Sequence, residues 1–208
     1  MSFLIDHAAR EVALARRALP ECLHVPVAAT NEAAIATYIG EIERVLADGT
    51  PHKALLIKTR EPPLIDRRLP IWSLAASEVF HLRRQVWVHI AFTRYRDAYK
   101  KAFPEEPIDS KVLSHAMNRR VAALKGFAYV RITPTSRRCN SSSAFSENWG
   151  VILHRTPAQI AANQRRAASI QYADLSDLIL MLDMKVGGGV MAAVNDGQEL
   201  VRPRTAEA

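Results

Sequence analysis

The stretch DSKVLSHAMNRRVAALKGFAYVRITPTSRRCNSSSAFSENWGVILHRTP, from Asp109 to Pro157, holds the densest run of polar side chains in the sequence. Its first part has helical spacing and stops at Gly126, a residue type that commonly ends helices. After Gly126 the residues alternate as those of a strand do. The stretch therefore predicts a helix, a strand, a polar loop and a second strand, over Ser110–Lys125, Phe127–Thr133, Pro134–Asn148 and Trp149–His154.

A helix over Ser110–Lys125 divides its side chains between two faces, since successive residues turn by about 100°. The inner face is apolar, and the outer face is basic, carrying Lys111, Ser114, His115, Asn118, Arg119, Ala122 and Lys125. Such donors suit phosphates and base edges, and a hairpin after the helix is the layout of a recognition helix with a wing. A solvated helix face that binds nothing is the alternative.

Arg120 is the one residue that this division does not explain. It falls on the apolar side, between Met117 and Leu124. Burying an unpaired guanidinium costs roughly several kcal/mol, and a buried arginine therefore needs a carboxylate or carbonyl partner. We therefore expect Arg120 to be mostly buried and paired, and an exposed Arg120 would mean that the helix is placed wrongly.

The polar loop and the strand before it extend the predicted contact surface. The loop is rich in arginine, asparagine and serine, the residue types from which nucleic-acid backbones take many of their contacts. An ordinary long hairpin loop is the alternative. The complete predicted nucleic-acid contact set is Lys111, His115, Asn118, Arg119, Lys125, Arg131, Arg137, Arg138, Asn140 and Ser142.

Helical spacing also dominates the parts of the chain before Asp109. A helix capped by Thr30 or Asn31 is predicted to run to Gly49, followed by a short strand over Ala54–Lys58. Residues 71–103 have a long helical pattern, although Val86–Phe92 is rich in β-formers, and a strand followed by a helix capped by Thr93 is the alternative. These patterns predict a mainly helical α+β fold with a small antiparallel hairpin or three-stranded sheet.

Composition places the chain among globular proteins. Its 208 residues suit a single domain over 1–208, and the proline-rich residues 61–70 are the one plausible internal boundary. The formal net charge is +7, and 21 Arg against 7 Lys carry it. Arginine suits phosphate and carboxylate forks, although a GC-rich genome would also enrich it. The charge therefore permits an anionic partner without identifying one.

Several classes of site and location have no support in the sequence. Cys22 and Cys139 are far apart and form no CxxC pair, which argues against a disulfide framework or a structural zinc site. Gly187–Gly189 follows a predicted helix, so no glycine loop cradles a phosphate at a helix start. We therefore expect no metal or other cofactor. No segment has the apolar length of a membrane span, and we expect a cytoplasmic protein without a membrane partner.

Arg84 and His89 suggest an enzyme as a second possibility. An Arg and a His separated by four residues on a predicted helix resemble the R-x4-6-H motif of HEPN-type ribonucleases, although Gln85 stands where that family usually has Asn, Asp or His. The resemblance covers six residues and implies a metal-independent ribonuclease that pairs across a dimer. It would make His89 the acid or base, with Arg84 stabilising the phosphorane.

Three classes of function follow from these observations. The first is a nucleic-acid-binding protein, for DNA or RNA, acting as a regulator or as a subunit of a nucleoprotein assembly. The second is the ribonuclease with Arg84 and His89. The third is a non-catalytic assembly subunit whose partners are other protein subunits or a second copy of the chain. The sequence favours the first, because Asp109–Pro157 combines a basic helix face with a loop rich in arginine, asparagine and serine.

Overall fold

The computed structural model describes residues 26–49, 52–59, 84–106, 108–142, 156–158, 160–161, 169–173 and 177. Within these residues the strands are β1 Pro26–Ala29, β2 Gly40–Gly49, β3 His52–Thr59, β4 Arg84–His89, β5 Val112–His115, β6 Tyr129–Thr135 and β7 Ile170–Tyr172. The longer helices are α1 Glu32–Tyr38, α2 Tyr95–Ala102, α3 Arg119–Lys125 and α4 Arg137–Ser142. No helix in this part of the chain is long and apolar enough to cross a membrane.

A curled, seven-stranded antiparallel sheet dominates the fold, so the prediction of a mainly helical protein is wrong. The strand order is β2-β3-β4-β6-β1-β7, and β5 also pairs with β6. Strand β6 pairs with β4 along one edge and with β1 and β5 along the other. It is therefore the strand on which both halves of the sheet meet.

The predicted helix from Thr30 to Gly49 is correct only in its first half. The Asn31 side chain accepts a hydrogen bond from the backbone N–H of Ala34 at 2.7 Å, which caps α1 as expected. The chain then turns into β2, whose register against β3 shifts twice. Each shift sets an extra β2 residue against β3, as a bulge does. The bulges break strand alternation, so Ile42, Val45 and Leu46 have helical spacing although they lie in a strand.

Gly40 marks the point where α1 gives way to β2. A Cβ atom built on Gly40 would lie 2.1 Å from the backbone oxygen of Lys58 on the neighbouring strand. No side chain is compatible with that approach. The close contact between the two backbones thus requires glycine at the start of β2.

The predicted strand at Ala54–Lys58 is confirmed as part of β3. Between Val86 and Phe103 the chain forms a strand followed by a helix, which was the alternative to one long helix. Strand β4 precedes helix α2, and its Val86, Trp87 and Val88 are fully buried. The residue that caps α2 is Arg94, without a side-chain hydrogen bond, and the expected cap at Thr93 is wrong. Three consecutive buried residues suit a strand that is covered on both faces.

The predicted helix over Ser110–Lys125 is also wrong in its first half. Val112–His115 forms β5, with Ser114 opposite Thr133 of β6. Helix α3 begins only after Asn118, whose side chain accepts from the N–H groups of Arg120 and Val121 at 2.8 and 3.4 Å. Arg120 therefore lies in the first turn of α3 and is exposed, so the expectation that it is buried is wrong. The basic and apolar faces predicted for a helix over Ser110–Lys125 are therefore not present in the structure.

The strand after Gly126 is confirmed as β6, and Gly126 ends α3 in the left-handed conformation with φ 85°. The next residues form α4 rather than an open loop, because local backbone bonds such as Asn140 N–H to Ser136 C=O close a helical turn. The predicted strand at Trp149–His154 and the boundary at 61–70 lie outside the described residues. The N–H of Ile160 donates to the carbonyl of Thr156 at 3.0 Å.

The two faces of the sheet carry separate apolar clusters. Helices α2, α3 and α4 contribute Ala98, Tyr99, Ala122 and Cys139 to the cluster on the first face, together with the strand residues Leu56, Val86, Val88, Val130 and Ile132. Helix α1 covers the second face, where Ile35 and Ile39 lie in one cluster with Leu55, Ile57, Trp87 and Tyr129. Alternate residues of β3, β4 and β6 thus serve opposite cores.

Replacing Gly40 by alanine should destabilise the protein, because the new Cβ would force apart the backbones of β2 and β3. We expect Gly40→Ala to lower the free energy of unfolding by about 1–3 kcal/mol, the usual range for overpacking. Gly49→Ala is the matched control, since its Cβ would meet the nearest atom, His52 O, at an ordinary 3.5 Å. Urea denaturation measures both. Equal losses in the two variants would contradict the requirement for glycine at position 40.

Candidate functional site

The predicted contact residues are distributed over several elements rather than on one helix face. His115 ends β5, Asn118 caps α3, and Arg119 and Lys125 are the first and last residues of α3. Lys111 precedes β5, and Arg137, Arg138, Asn140 and Ser142 lie on α4. The structure therefore brings together His115, Asn118 and Arg119 and places the α4 residues on a separate helix, which packs near β5.

Arg131 is the predicted contact residue that the fold removes from the surface. It is 2% exposed, on the face of the sheet that also carries Trp87, its cross-strand neighbour. Burial lowers the pKa of its guanidinium to about 10, so the group remains charged at neutral pH. Gln85, Ser114, Thr133 and Thr135 are also buried, on positions of the same sheet face. Arg131 belongs to this interior polar group and not to a contact surface.

The N-terminal ends of α2 and α3 both lie near the end of β5. The ring of Tyr95 packs edge-on against that of His115, with 4.6 Å between centroids. The Nη1 atom of Arg119 donates to the backbone oxygen of Ile90 at 3.4 Å, in the segment that leads into α2. Burial, with a smaller effect from the charge of Arg119, lowers the pKa of His115 to about 4. His115 is consequently a neutral packing residue at pH 7.

Four arginines lie at the starts of these two helices, namely Arg94, which caps α2, Arg96 of α2, and Arg119 and Arg120 of α3, and we call them the arginine surface. Arg94, Arg96 and Arg120 are exposed, and Arg119 is half-buried. Arg94 forms an ion pair with Asp97 at 3.0 Å, but its side chain is 79% exposed and that of Asp97 58% exposed. Water screens such a pair strongly, so Arg94 remains available to a stronger anion.

A second polar group lies across the end of the sheet on the α1 face. Lys53, His89 and Tyr129 occupy neighbouring positions on β3, β4 and β6, and Glu32 lies above them in the first turn of α1. The hydroxyl of Tyr129 donates to Oε1 of Glu32 at 2.7 Å, and the ammonium of Lys53 lies 3.1 Å from the same atom. We call these four residues the ionisable row.

Within the ionisable row, the pKa of Glu32 is lowered and the pKa of Tyr129 is raised. The hydrogen bond from Tyr129, helped by Lys53, lowers the pKa of Glu32 despite the opposing effect of burial. Burial first, and the Glu32 carboxylate second, raise the pKa of Tyr129. At neutral pH the row therefore holds a carboxylate that accepts from a neutral phenol.

His89 of this row and the neighbouring His52 both bind the backbone of Ala91, one at its N–H and the other at its C=O. Nδ1 of His89 lies 3.2 Å from the N–H of Ala91 and accepts from it, which leaves the ring proton of neutral His89 on Nε2. Nδ1 of His52 lies 3.0 Å from the C=O of Ala91 and must donate to it, which leaves Nε2 of neutral His52 as an acceptor. The two rings, 5.8 Å apart between centroids, therefore have opposite tautomers.

His89 is the more enclosed of the two histidines. Its ring packs edge-on against Tyr129 with 5.6 Å between centroids, whereas His52 is exposed. Burial, followed by repulsion from His52, lowers the pKa of His89. His52 also lines a cavity of about 470 Å³ between the β2–β3 hairpin and α2, which has Asp48, Arg94, Asp97 and Lys101 in its wall.

Arg84 and His89 do not form the site that the ribonuclease motif implies. They stand at the two ends of strand β4, whereas the motif needs both on one helix. Arg84 forms an ion pair with Glu43 of β2, with its Nη2 atom 2.7 Å from Oε1. Of the two residues, His89 alone lies beside other ionisable rings, those of His52 and Tyr129.

The sequence provided little sign of the ionisable row or of the histidine pair. His52 and Lys53 are the first residues of a strand that was recognised from Ala54 onward. Their partners come from other strands and from α1, and one sequence does not indicate which strands lie side by side. The polar ends of otherwise apolar strands were the available signal, because polar groups at strand ends often line sites.

No family model, curated protein or solved structure matches this chain. Relatedness therefore supplies no substrate or partner. Within the described residues no three His, Cys, Asp or Glu side chains are grouped so that they could hold a metal ion. The arginine surface, the ionisable row and the histidine pair are accordingly the features on which a function can be based.

Replacing Tyr129 by phenylalanine should destabilise the protein at neutral pH, because it removes the hydrogen bond to the Glu32 carboxylate. We expect a loss of about 1–2 kcal/mol in the free energy of unfolding at pH 7. Since the folded pKa of Glu32 lies below its unfolded value, this contribution is complete above about pH 5 and disappears as the pH falls through the folded pKa.

Urea denaturation at several pH values measures this effect. The matched control is Tyr38→Phe, since Tyr38 is 60% exposed. It should change the unfolding free energy by less than about 0.5 kcal/mol at every pH. A Tyr129→Phe loss that stayed constant from neutral pH to pH 3 would contradict the bond to Glu32.

Proposed function

We propose that this protein binds nucleic acid through the arginine surface, as a regulator or as a subunit of a nucleoprotein assembly. One observation carries the proposal: the start of α2 contacts the end of β5 through the Tyr95–His115 rings, and the start of α3 contacts the segment before α2 through the Arg119–Ile90 hydrogen bond. These two contacts bring the first turns of both helices, with their arginines, near the same end of the sheet. Part of the predicted set, His115, Asn118 and Arg119, lies there.

The chemistry of the four arginines supports a phosphate-rich partner. Each guanidinium presents a planar fork of N–H donors that matches the oxygens of a phosphate. Several such forks are needed to bind consecutive phosphates of a nucleic acid. When the arginines bind, the nucleic acid releases the counterions that had neutralised those phosphates. The net charge of +7 favours the approach of a polyanion to the whole chain.

Helix α4 offers a second basic surface. Arg137 and Arg138 are exposed, and the helix packs near β5, whose other end meets the arginine surface. A nucleic acid of several nucleotides would be long enough to reach from one surface to the other. The contacts would come from exposed arginines of α2, α3 and α4, with Asn118 serving to cap α3 and Arg131 remaining inside the protein.

Removing two exposed arginines should weaken binding and reduce its dependence on salt. We expect Arg96→Ala with Arg120→Ala to lower affinity for a short labelled DNA duplex about tenfold or more at low salt. The slope of log affinity against log salt concentration should become shallower by about two, since each phosphate contact contributes about 0.9 to it. Fluorescence anisotropy at a series of salt concentrations measures both quantities.

The matched control removes the same charge at the opposite end of the sheet. Lys58 and Arg84 are exposed cross-strand neighbours on β3 and β4, remote from the loop that leads into α2. Lys58→Ala with Arg84→Ala should leave the affinity within about twofold and the salt slope within about half a unit of wild type. If both pairs of substitutions weaken binding equally, the attraction is due to net charge, and the arginine surface is not the site. If wild type binds neither duplex nor single strand at low salt, the proposed function is wrong.

A further inference from the structure

The two histidines that bind the backbone of Ala91 have complementary chemical roles. The hydrogen bond from Ala91 N–H to Nδ1 of His89 leaves Nε2–H of that ring as a donor. The hydrogen bond from Nδ1 of His52 to Ala91 C=O leaves Nε2 of that ring as a proton acceptor. Because the backbone N–H and C=O of Ala91 fix one tautomer each, a base and a neutral hydrogen-bond donor stand side by side, with 5.8 Å between ring centroids.

The surroundings of this pair join it to the arginine surface. Arg94 belongs to that surface and also lines the cavity that His52 faces. Arg119 donates to the oxygen of Ile90, the residue directly before Ala91. A phosphate diester held by these arginines would therefore lie next to the histidine pair. In RNA this phosphate lies beside a ribose 2′-hydroxyl, which DNA lacks. That hydroxyl carries a proton that a general base could remove.

We infer that His52 and His89 form a metal-independent site for RNA cleavage, with His52 as the general base and His89 as a donor to the phosphoryl oxygens. The inference rests on the proposed function, because the arginine surface has to bring RNA to the site. It adds an activity, a substrate class and the reacting atoms to what nucleic-acid binding alone implies.

The reaction balances without any co-reactant. Nε2 of His52 takes the proton of a ribose 2′-hydroxyl while the 2′-oxygen forms a bond to the adjacent phosphorus. The bond from phosphorus to the 5′-oxygen breaks, and that oxygen takes a proton from water. His52 then returns its proton to the solvent. The products are a 2′,3′-cyclic phosphate and a 5′-hydroxyl, and no atom is gained or lost overall.

The part of His89 is to stabilise charge rather than to transfer a proton. Its Nε2–H would donate to a phosphoryl oxygen as negative charge increases there, a role that neutral imidazole performs in enzymes. The enclosed position of the ring against Tyr129 favours the neutral form that this role needs. The bond from Ala91 N–H to Nδ1 keeps the donor hydrogen on the other nitrogen.

Incubating the full chain in EDTA with a labelled single-stranded RNA tests the inference. We expect fragments that end in 2′,3′-cyclic phosphate, and no cleavage of a DNA strand of the same sequence, which lacks the attacking hydroxyl. His52→Ala should reduce the cleavage rate by about a hundredfold or more, the usual contribution of a general base. His89→Ala should reduce it by a similar factor, and His89→Gln, which keeps an N–H donor, should reduce it less.

Binding is measured on the same proteins, so that the two proposals can fail separately. Anisotropy with the DNA strand should show unchanged affinity for the histidine variants, and Lys58→Ala should leave both binding and cleavage unchanged. If wild type binds RNA without cleaving it, the activity is refuted while the proposed function stands. Cleavage that survives in His52→Ala also refutes the activity. If wild type neither binds nor cleaves RNA, the activity is refuted, and the proposed function fails as well if DNA is not bound either. Circular dichroism and thermal unfolding check that each variant is folded.

Discussion

Strand β6 is the constraint on which the rest of the structure depends. It pairs with β4 along one edge and with β1 and β5 along the other, so it joins the early and late parts of the chain into one sheet. Its residues alternate between the two cores: Val130 and Ile132 pack with α2, α3 and α4, and Tyr129 packs with α1. A strand in this position is covered on both faces, so the polar side chains in its interior, such as Arg131 and Thr133, are buried with it.

Both polar sites depend on where β6 begins. Tyr129, its first residue, pairs with His89 on one side and Ala29 on the other. The first pairing fixes the ring against which His89 packs. The second brings α1 and its Glu32 over the end of the sheet, since α1 follows Ala29 after a short turn. The positions of the histidine pair and the ionisable row are therefore results of strand register and not of local sequence.

The sequence indicated the elements whose signals are local. Asn31 as a cap, Gly126 as a helix end and the apolar core of β3 were each recognised from neighbouring residues alone, and each is present. The strand alternative at Val86 was also recognisable. The failures came where tertiary structure overrides local pattern. Two bulges gave β2 the spacing of a helix, and pairing with Thr133 made Ser114 part of a strand. Of the sites, the basic residue types could be found, but their neighbours in space could not.

The pairing of β1 with β6 and β7 affects the order in which the chain can fold during synthesis. Glu32 and Tyr129, which bond to each other, are 97 residues apart. During synthesis, β1 and α1 leave the ribosome long before the strands that complete their sheet. The apolar side of α1, with Ile35 and Ile39, has no finished core to join until β6 has emerged. Contacts so distant in sequence slow folding, because the long loop between the two residues has to close before the contact can form.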